Sequence, residues 1–196
     1  MPELIAILRG ITPPEVVDVA RVLVEEGIDA IEVPLNSPDP FTSIARLADA
    51  VGDTVPVGAG TVLTTDEVVR ARDAGAGIVV SPNTDPDVIE ETVRLGLRSY
   101  PGVATPSEAF TALAAGAHRL KIFPAGAVGV AGLRAWRAVL PAGTALLPVG
   151  GVDASDIADW LAAGAAGAGL GTCLYRPGDT AVQVRDRART LVAATR

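Results

Sequence analysis

The sequence predicts a compact (β/α)8 barrel, or TIM barrel, that residues 1–196 form as a single domain. A short apolar run, a turn rich in Gly, Pro, Thr, Ser or Asp, and an amphipathic segment recur about every 20 to 25 residues. Such alternation favours parallel strands joined by helical crossovers, and eight units, as counted here, close a barrel. The alternative is an open doubly wound sheet, which we disfavour because no Gly-x-Gly-x-x-Gly turn follows the first strand.

The predicted strands are short apolar runs, each followed by turn residues. In chain order they are residues 4–9, 30–35, 55–61, 77–81, 98–101, 119–124, 145–149 and 167–170.

The predicted helices follow these strands and begin at residues that typically cap a helix. The first begins after Thr12, an N-cap followed by proline. The fifth begins at Thr105, with Glu108 in the capping-box position. The seventh covers residues 155–163 and is capped by Asp153 or Ser155. The others begin after residues 37–40, at Thr64 or Thr65, and near Asp85, cover roughly 130–139, and run from about 180 to 194.

Composition excludes several classes of protein. The net charge of −7, without a basic block, argues against a nucleic acid or an anionic membrane as partner. A single cysteine excludes an internal disulfide framework, and no His, Asp or Glu cluster has metal-ligand spacing. We find no signal-peptide pattern and no apolar run of about 18 residues, so we expect a cytoplasmic protein.

Lys121 is the first candidate catalytic residue. It is the only lysine in the chain, and it lies in a short apolar run before a proline, which predicts a buried strand. Burial lowers the pKa of a lysine, and a neutral amine in a pocket is what Schiff-base chemistry needs. The alternative is a lysine paired with a core carboxylate for structural reasons alone.

Glu32 is the second candidate, because it is a carboxylate in an otherwise apolar strand. If Ile31 and Val33 face the helices, alternation directs Glu32 into the barrel, and the same rule directs Lys121 inward. The two residues lie on predicted strands 2 and 6, and alternate strands contribute to one interior layer. They can form a buried neutralising pair, or they can supply the nucleophile and the proton carrier of an imine mechanism. We favour the second interpretation.

Further polar groups and glycines at predicted strand ends indicate an anionic substrate. Gly150-Gly151 follows strand 7 and Gly171-Thr172 follows strand 8, the usual phosphate-binding position in these barrels. Arg9 ends strand 1 and can bind a carboxylate in bidentate fashion, or form a surface salt bridge. Thr61 can donate its hydroxyl to the same carboxylate, or simply close a turn.

Eight stretches of the chain match the motifs of a known family. They are Ile5-Ala6-Ile7-Leu8-Arg9-Gly10, Ile31-Glu32-Val33-Pro34-Leu35-Asn36-Ser37-Pro38, Val57-Gly58-Ala59-Gly60-Thr61-Val62-Leu63, Ser81-Pro82-Asn83, Pro101-Gly102, Lys121-Ile122-Phe123-Pro124, Val149-Gly150-Gly151-Val152 and Gly169-Leu170-Gly171-Thr172. In these stretches, which occur in the same order and span essentially the whole chain, the sequence resembles the 2-keto-3-deoxy-6-phosphogluconate (KDPG) and 6-phosphogalactonate (KDPGal) aldolase family.

The resemblance implies a class I aldolase that uses no metal or other cofactor and that forms a homotrimer. Its substrate would be a phosphorylated keto-deoxy sugar acid, cleaved to pyruvate and glyceraldehyde 3-phosphate. The matching positions imply a role for each candidate in the sequence. Lys121 would be the Schiff-base lysine, Glu32 the proton-shuttling glutamate, Arg9 and Thr61 the pyruvate carboxylate site, and Gly150, Gly151, Gly171 and Thr172 the phosphate site.

Two departures from the phosphogluconate pattern favour the phosphogalactonate type. Leu35-Asn36-Ser37 lacks the arginine that phosphogluconate-type members usually carry there, and Val149 replaces a threonine. Aldolases for 2-dehydro-3-deoxy-6-phosphogluconate or 4-hydroxy-2-oxoglutarate are the alternatives within the family. Outside it, the alternatives are an isomerase or synthase that uses Glu32 as base, and a non-catalytic phosphosugar-binding barrel.

Overall fold

The computed structural model describes residues 2–196, and in this range it contains nine strand segments and eight helices. The strands are short and lie parallel to their neighbours. They are β1 (Glu3–Ile7), β2 (Ala30–Pro34), β3 (Val57–Gly60), β4 (Ile78–Val80), β5 (Arg98–Tyr100), β6 (Gly102–Val103), β7 (Leu120–Ile122), β8 (Leu146–Pro148) and β9 (Gly167–Leu170).

The strands form two parallel sheets. The first has the order β5-β4-β3-β2-β1-β9, and the second has the order β6-β7-β8. In the first sheet Ile7 of β1 lies beside Glu32 of β2, and Glu32 lies beside Gly58 of β3. In the second, Lys121 of β7 lies between Gly102 and Leu147. The predicted parallel α/β architecture is therefore confirmed.

The predicted fifth strand is divided in two by Pro101. The part before the proline, β5, pairs with β4 of the first sheet, and the part after it, β6, pairs with β7 of the second. The carbonyl of Pro101 accepts a hydrogen bond of 2.9 Å from the amide of Lys121. At the other edge, Val149 and Gly169 form a parallel bridge between the two sheets.

The helices follow the strands in strict alternation, apart from the β5-β6 pair. They are α1 (Val16–Glu25), α2 (Pro40–Val51), α3 (Thr65–Asp73), α4 (Pro86–Arg94), α5 (Pro106–Ala114), α6 (Ala125–Arg137), α7 (Ile157–Ala162) and α8 (Ala181–Ala193). Within residues 2–196, no helix is both long enough and apolar enough to span a membrane.

The capping predictions hold where a complete capping box is present. Thr64 caps α3 with Glu67, and Thr105 caps α5 with Glu108. The prediction for Thr12 is wrong: α1 begins at Val16, because the Thr12 amide and hydroxyl both donate to the side chain of Glu15 and form a separate turn.

The predicted starts of two other helices are also wrong. Helix α7 begins at Ile157, because Asp153 accepts hydrogen bonds from Ser155 in a turn that precedes the helix. Helix α6 begins at Ala125 and contains a break at Gly129, whose φ of 70° is not helical. The sequence prediction therefore captured only the part of α6 that follows this break.

Alternation along the strands divides the apolar residues into two cores. Leu4, Ala6 and Leu8 pack towards the helices in the larger core. Ile5 belongs to a smaller core that lies between the two sheets, together with Tyr100. Because strand residues alternate between two faces, this arrangement also determines which polar side chains enter the space between the sheets.

Candidate active site

A narrow cavity of about 10 Å³ lies between the two sheets, and Glu32 and Lys121 contribute to its lining. Both sheets contribute to its wall, so the cavity exists only because the sheets face each other. Its lining is otherwise apolar apart from one tyrosine. The remaining lining residues are Ile5, Ile7, Val80, Tyr100, Leu147, Val149 and Gly169.

Lys121 is held at the centre of β7 and is only 6% exposed. Its Nζ lies 4.6 Å from the centre of the Phe123 ring. Burial lowers the pKa of the Lys121 ammonium below its ordinary value of 10.5. The charge of Glu32 acts in the opposite direction, and that of Arg9 lowers the pKa further. The site therefore favours the neutral, nucleophilic amine more than water does.

Glu32 is 3% exposed, and its neighbours Ile31 and Val33 pack towards the helices. Burial raises the pKa of its carboxyl from 4.5 to about 7, against the lowering effect of the Lys121 and Arg9 charges. Within residues 2–196, its Oε2 atom has no hydrogen-bond partner. A carboxyl with a pKa near neutrality can both accept and return a proton.

Glu32 and Lys121 share the cavity without forming an ion pair. The ion pairs of residues 2–196 all involve arginine, and none includes either of these two residues. A structural pair that only neutralised itself would be expected in direct contact, since contact offsets the cost of burying two charges. The amine and the carboxyl therefore do not neutralise each other by direct contact.

The guanidinium of Arg9 lies at the carboxyl end of β1, beside the ends of β2 and β3. Its Nη1 donates to Oδ1 of Asn36 at 2.5 Å, and its Nη2 donates to Oγ1 of Thr61 at 3.5 Å. Thr61 has a φ of 58°, a conformation that is unusual for a β-branched residue. Such strain is typical of functional sites.

The predicted phosphate residues lie at the ends of β8 and β9. Gly151, Gly171 and Thr172 line a groove of about 200 Å³, together with Val152, Asp153, Cys173 and Arg176. Gly150 directly precedes the groove residue Gly151 but does not line the groove itself, and a Cβ built on Gly150 would lie 3.3 Å from the ring of Phe123. Gly150 and Gly151 have φ values of 92° and 90°, which side chains rarely adopt, so the turn itself requires glycine.

Arg176 is a groove residue that the sequence analysis did not identify. Its Nε donates to the carbonyl of Thr172 at 3.1 Å, and its amide donates to Asp179 at 2.7 Å. The side chain of Arg187 pairs with Asp179, so the charge of Asp179 is already balanced. A possible signal was the position of Arg176, a few residues after the last strand at the end predicted to bind phosphate.

A polar cluster forms around Glu3, the first residue of β1, and includes Tyr100, which also lines the cavity. The hydroxyl of Tyr100 donates to Oε1 of Glu3 at 3.0 Å, and Nε of Arg119 donates to Oε2 of Glu3 at 2.9 Å. These contacts connect β1 to the segment that precedes β7. The sequence analysis also missed this cluster, since Tyr100 and Arg119 contact Glu3 across nearly 100 residues or more of chain.

No group of three or more His, Cys, Asp or Glu side chains suited to a metal ion is found in the part of the chain that the structure describes. The chemistry that the cavity residues themselves offer is nucleophilic attack by an amine, coupled to proton transfer by a carboxyl group.

Comparison with known proteins identifies a family of aldolases. The family described as KDPG and KHG aldolase matches residues 2–189. A probable 2-dehydro-3-deoxy-6-phosphogalactonate aldolase of Rhizobium meliloti (strain 1021) is 49% identical over 191 residues, covering 97% of this chain and 90% of the relative. The 2-dehydro-3-deoxy-6-phosphogalactonate aldolase of Escherichia coli (strain K12) is 46% identical over 193 residues, covering 98% of this chain and 94% of the relative.

A solved structure described as native KDPGal superposes with a TM-score of 0.96 at 46% identity. The match covers 97% of this chain and 93% of that chain. The similarity therefore extends over nearly the whole fold.

Proposed function

The chain belongs to the KDPG and KHG aldolase family, and we propose that it is a class I aldolase for 2-dehydro-3-deoxy-6-phosphogalactonate. The products would be pyruvate and glyceraldehyde 3-phosphate. The observation that carries this proposal is that Lys121 and Glu32 are buried in one cavity, with pKa values shifted towards neutrality, and form no ion pair in residues 2–196. The two similar relatives carry the phosphogalactonate name, which supports the choice of substrate.

Lys121 is the proposed nucleophile. Its neutral amine attacks the C2 ketone of the substrate and forms a carbinolamine, and loss of water then gives a protonated imine. The lowered pKa of Lys121 increases the fraction of amine that can attack. Glu32 assists the loss of water by donating a proton to the departing hydroxyl group.

Glu32 also carries the proton in the cleavage step. Its carboxylate, directly or through water, takes the proton of the C4 hydroxyl. The C3–C4 bond breaks, its electron pair passes to the iminium, and C4 becomes the aldehyde carbon of glyceraldehyde 3-phosphate. The enamine that remains on Lys121 is reprotonated at C3, and water hydrolyses the imine to release pyruvate. A pKa of about 7 suits a group that both accepts and donates a proton.

The two charged ends of the substrate would be held at opposite sides of the cavity mouth. Arg9 and Thr61, joined by a hydrogen bond, are the proposed site for the pyruvate carboxylate. Backbone amides at Gly150, Gly151, Gly171 and Thr172 are the proposed phosphate site, and we add Arg176, which lines the same groove.

We also propose that the two sheets close into one (β/α)8 barrel and that residues 1–196 form one domain. Two features support closure: the change of sheet at Pro101, and the bridge between Val149 and Gly169. A homotrimer in the cytoplasm, with a small anionic substrate and no nucleic-acid or membrane partner, is the proposed setting. Exposed apolar side chains such as Phe110 and Val182 are compatible with such association.

The proposal is tested by treating the protein with pyruvate and borohydride, followed by peptide mass spectrometry. A reduced pyruvyl adduct is expected on the peptide that contains Lys121, and Lys121→Ala should abolish it. Pyruvate release from the phosphogalactonate and phosphogluconate substrates, coupled to lactate dehydrogenase, then identifies the preferred sugar acid. A folded protein that forms no adduct would overturn the imine mechanism.

A further inference from the structure

The side chain of Arg9 is held from two sides by residues of the neighbouring strand ends. Asn36 follows β2 and accepts from Nη1 at 2.5 Å, whereas Thr61 follows β3 and accepts from Nη2 at 3.5 Å. The second distance is at the outer limit for a hydrogen bond, so Asn36 makes the stronger of the two contacts. The orientation of the guanidinium therefore depends mainly on Asn36.

The position of Asn36 is itself well determined. The next residue, Ser37, is 7% exposed, and its Oγ accepts from the amide of Gly10 at 2.9 Å. The amide of Ser37 donates to the carbonyl of Pro34 at 2.9 Å. Two successive residues after β2 thus contact two successive residues after β1, and this double connection fixes the distance between the strand ends.

An arginine on the surface would otherwise sample many rotamers. Ordering such a side chain costs about 1.5 to 2 kcal/mol, and a contact that orders it in advance removes that cost from substrate binding. A neutral amide is suited to this task, because it accepts a hydrogen bond without neutralising the guanidinium. An aspartate in the same place would form an ion pair with Arg9 and reduce its attraction for an anion.

We propose that Asn36 is a positioning residue, which orients the Arg9 guanidinium towards the carboxylate of the bound keto acid. This inference rests on the proposed function, since it assigns Arg9 to the pyruvate carboxylate. Asn36 lies four residues after Glu32, so β2 carries the proton-transferring carboxyl and the turn after it carries the support of the carboxylate-binding arginine.

The inference is tested with pyruvate as the probe, by measuring the rate of borohydride trapping as a function of pyruvate concentration. Asn36→Ala should raise the half-saturating pyruvate concentration about tenfold, equivalent to about 1.4 kcal/mol, and change the limiting rate at saturation little. Asn36→Asp should weaken pyruvate binding as well, because the new charge pairs with Arg9. Asn83→Ala, which changes the only other asparagine in the chain, should leave both parameters unchanged.

A double-mutant cycle separates positioning from direct contact with the substrate. If Asn36 acts through Arg9, then Asn36→Ala should have almost no effect on the second-order trapping rate constant in the Arg9→Ala background. Additive effects, or an unchanged half-saturating concentration in folded Asn36→Ala, would overturn the inference. A wild-type protein that is not trapped would overturn the proposed function first, and this inference with it.

Discussion

The carboxylate of Glu32 occupies the space that a side chain at position 60 would need. A Cβ atom built on Gly60 would overlap both oxygens and the Cδ atom of Glu32. In the register of β2 and β3, Gly60 lies beside Pro34, two residues beyond Glu32. The Glu32 side chain therefore leans towards the carboxyl ends of the strands, where the proposed substrate groups bind.

Gly60→Ala should displace the carboxyl of Glu32 and reduce the rate of aldol cleavage about 100-fold, because a misplacement of about 1 Å can have an effect of this size. The coupled assay for pyruvate release measures it. Gly77→Ala is the matched control, since the nearest atom to its Cβ would be the Val57 carbonyl oxygen at 3.9 Å. Equal rates for the two variants would show that Glu32 does not need its observed position.

The pH dependence of imine formation should report on the interaction between Glu32 and Lys121. The charge of Glu32 raises the pKa of Lys121, against the stronger lowering effect of burial. Glu32→Gln should therefore lower the pKa of Lys121 further and shift the rise in adduct formation to lower pH. Trapping with cyanoborohydride at a series of pH values measures this shift. A shift to higher pH would contradict the assigned interaction.

The Glu32→Gln variant also separates the two roles of Glu32, in imine formation and in cleavage. In Glu32→Gln, we expect slow imine formation but little cleavage, because the amide cannot take the C4 hydroxyl proton. Near-normal turnover by this variant would exclude Glu32 as the proton carrier.

The buried carboxyl of Glu32 should also affect stability. The ammonium of Lys121 lowers the pKa of Glu32, so in Lys121→Met the pKa of Glu32 should lie above about 7. Between the ordinary value of 4.5 and this raised value, the folded protein binds a proton that the unfolded chain has released. The free energy of unfolding of Lys121→Met should therefore fall as pH rises through this range.

Adding Glu32→Gln to Lys121→Met should remove that dependence. Each pH unit is worth about 1.36 kcal/mol, so at pH 7 the double variant should be more stable than Lys121→Met by about 3 kcal/mol. At pH 4.5 the two should be nearly equal, because Glu32 is protonated in the fold and neutral like glutamine. Urea denaturation at both pH values checks the result. If the two variants differed in free energy of unfolding by the same amount at both pH values, Glu32 would not be desolvated.

The parts of the fold that follow from local patterns could be predicted from the sequence. Alternation along β2 predicted that Glu32 lies on the opposite face from Ile31 and Val33. In the structure, these two neighbours pack against the helices. Local patterns could not predict that Pro101 divides the fifth strand, because the division depends on which neighbouring strands its two parts pair with. Local patterns identify a strand, whereas its partners are decided by the packing of the whole sheet.

The candidate site shows the same limit. Lys121 and Glu32 are conspicuous because each is a charged residue in an apolar strand. Asn36 and Arg176 follow strands in loops, where polar residues are ordinary, and their proposed roles depend on contacts with Arg9 and Thr172 that only the fold creates. No composition or periodicity distinguishes such residues from other polar loop residues.

Arg176 should contribute to binding of the substrate phosphate rather than to the chemistry at Lys121. Within residues 2–196, its hydrogen bond to Thr172 uses Nε, which leaves the terminal N–H groups of the guanidinium for an anion in the groove. Arg176→Gln should therefore raise KM for the phosphorylated sugar acid about tenfold and weaken inhibition by inorganic phosphate to a similar extent.

The discriminating measurement compares two substrates. Cleavage of an unphosphorylated 2-keto-3-deoxy sugar acid and trapping of pyruvate should be unaffected in Arg176→Gln, because neither places an anion in the groove. Arg134→Gln, which changes an exposed arginine on α6, is the matched control for the loss of one positive charge. The phosphate would not bind beside Arg176 if Arg176→Gln raised KM equally for the phosphorylated and the unphosphorylated substrate. The same conclusion would follow if inorganic phosphate inhibited Arg176→Gln and Arg134→Gln equally.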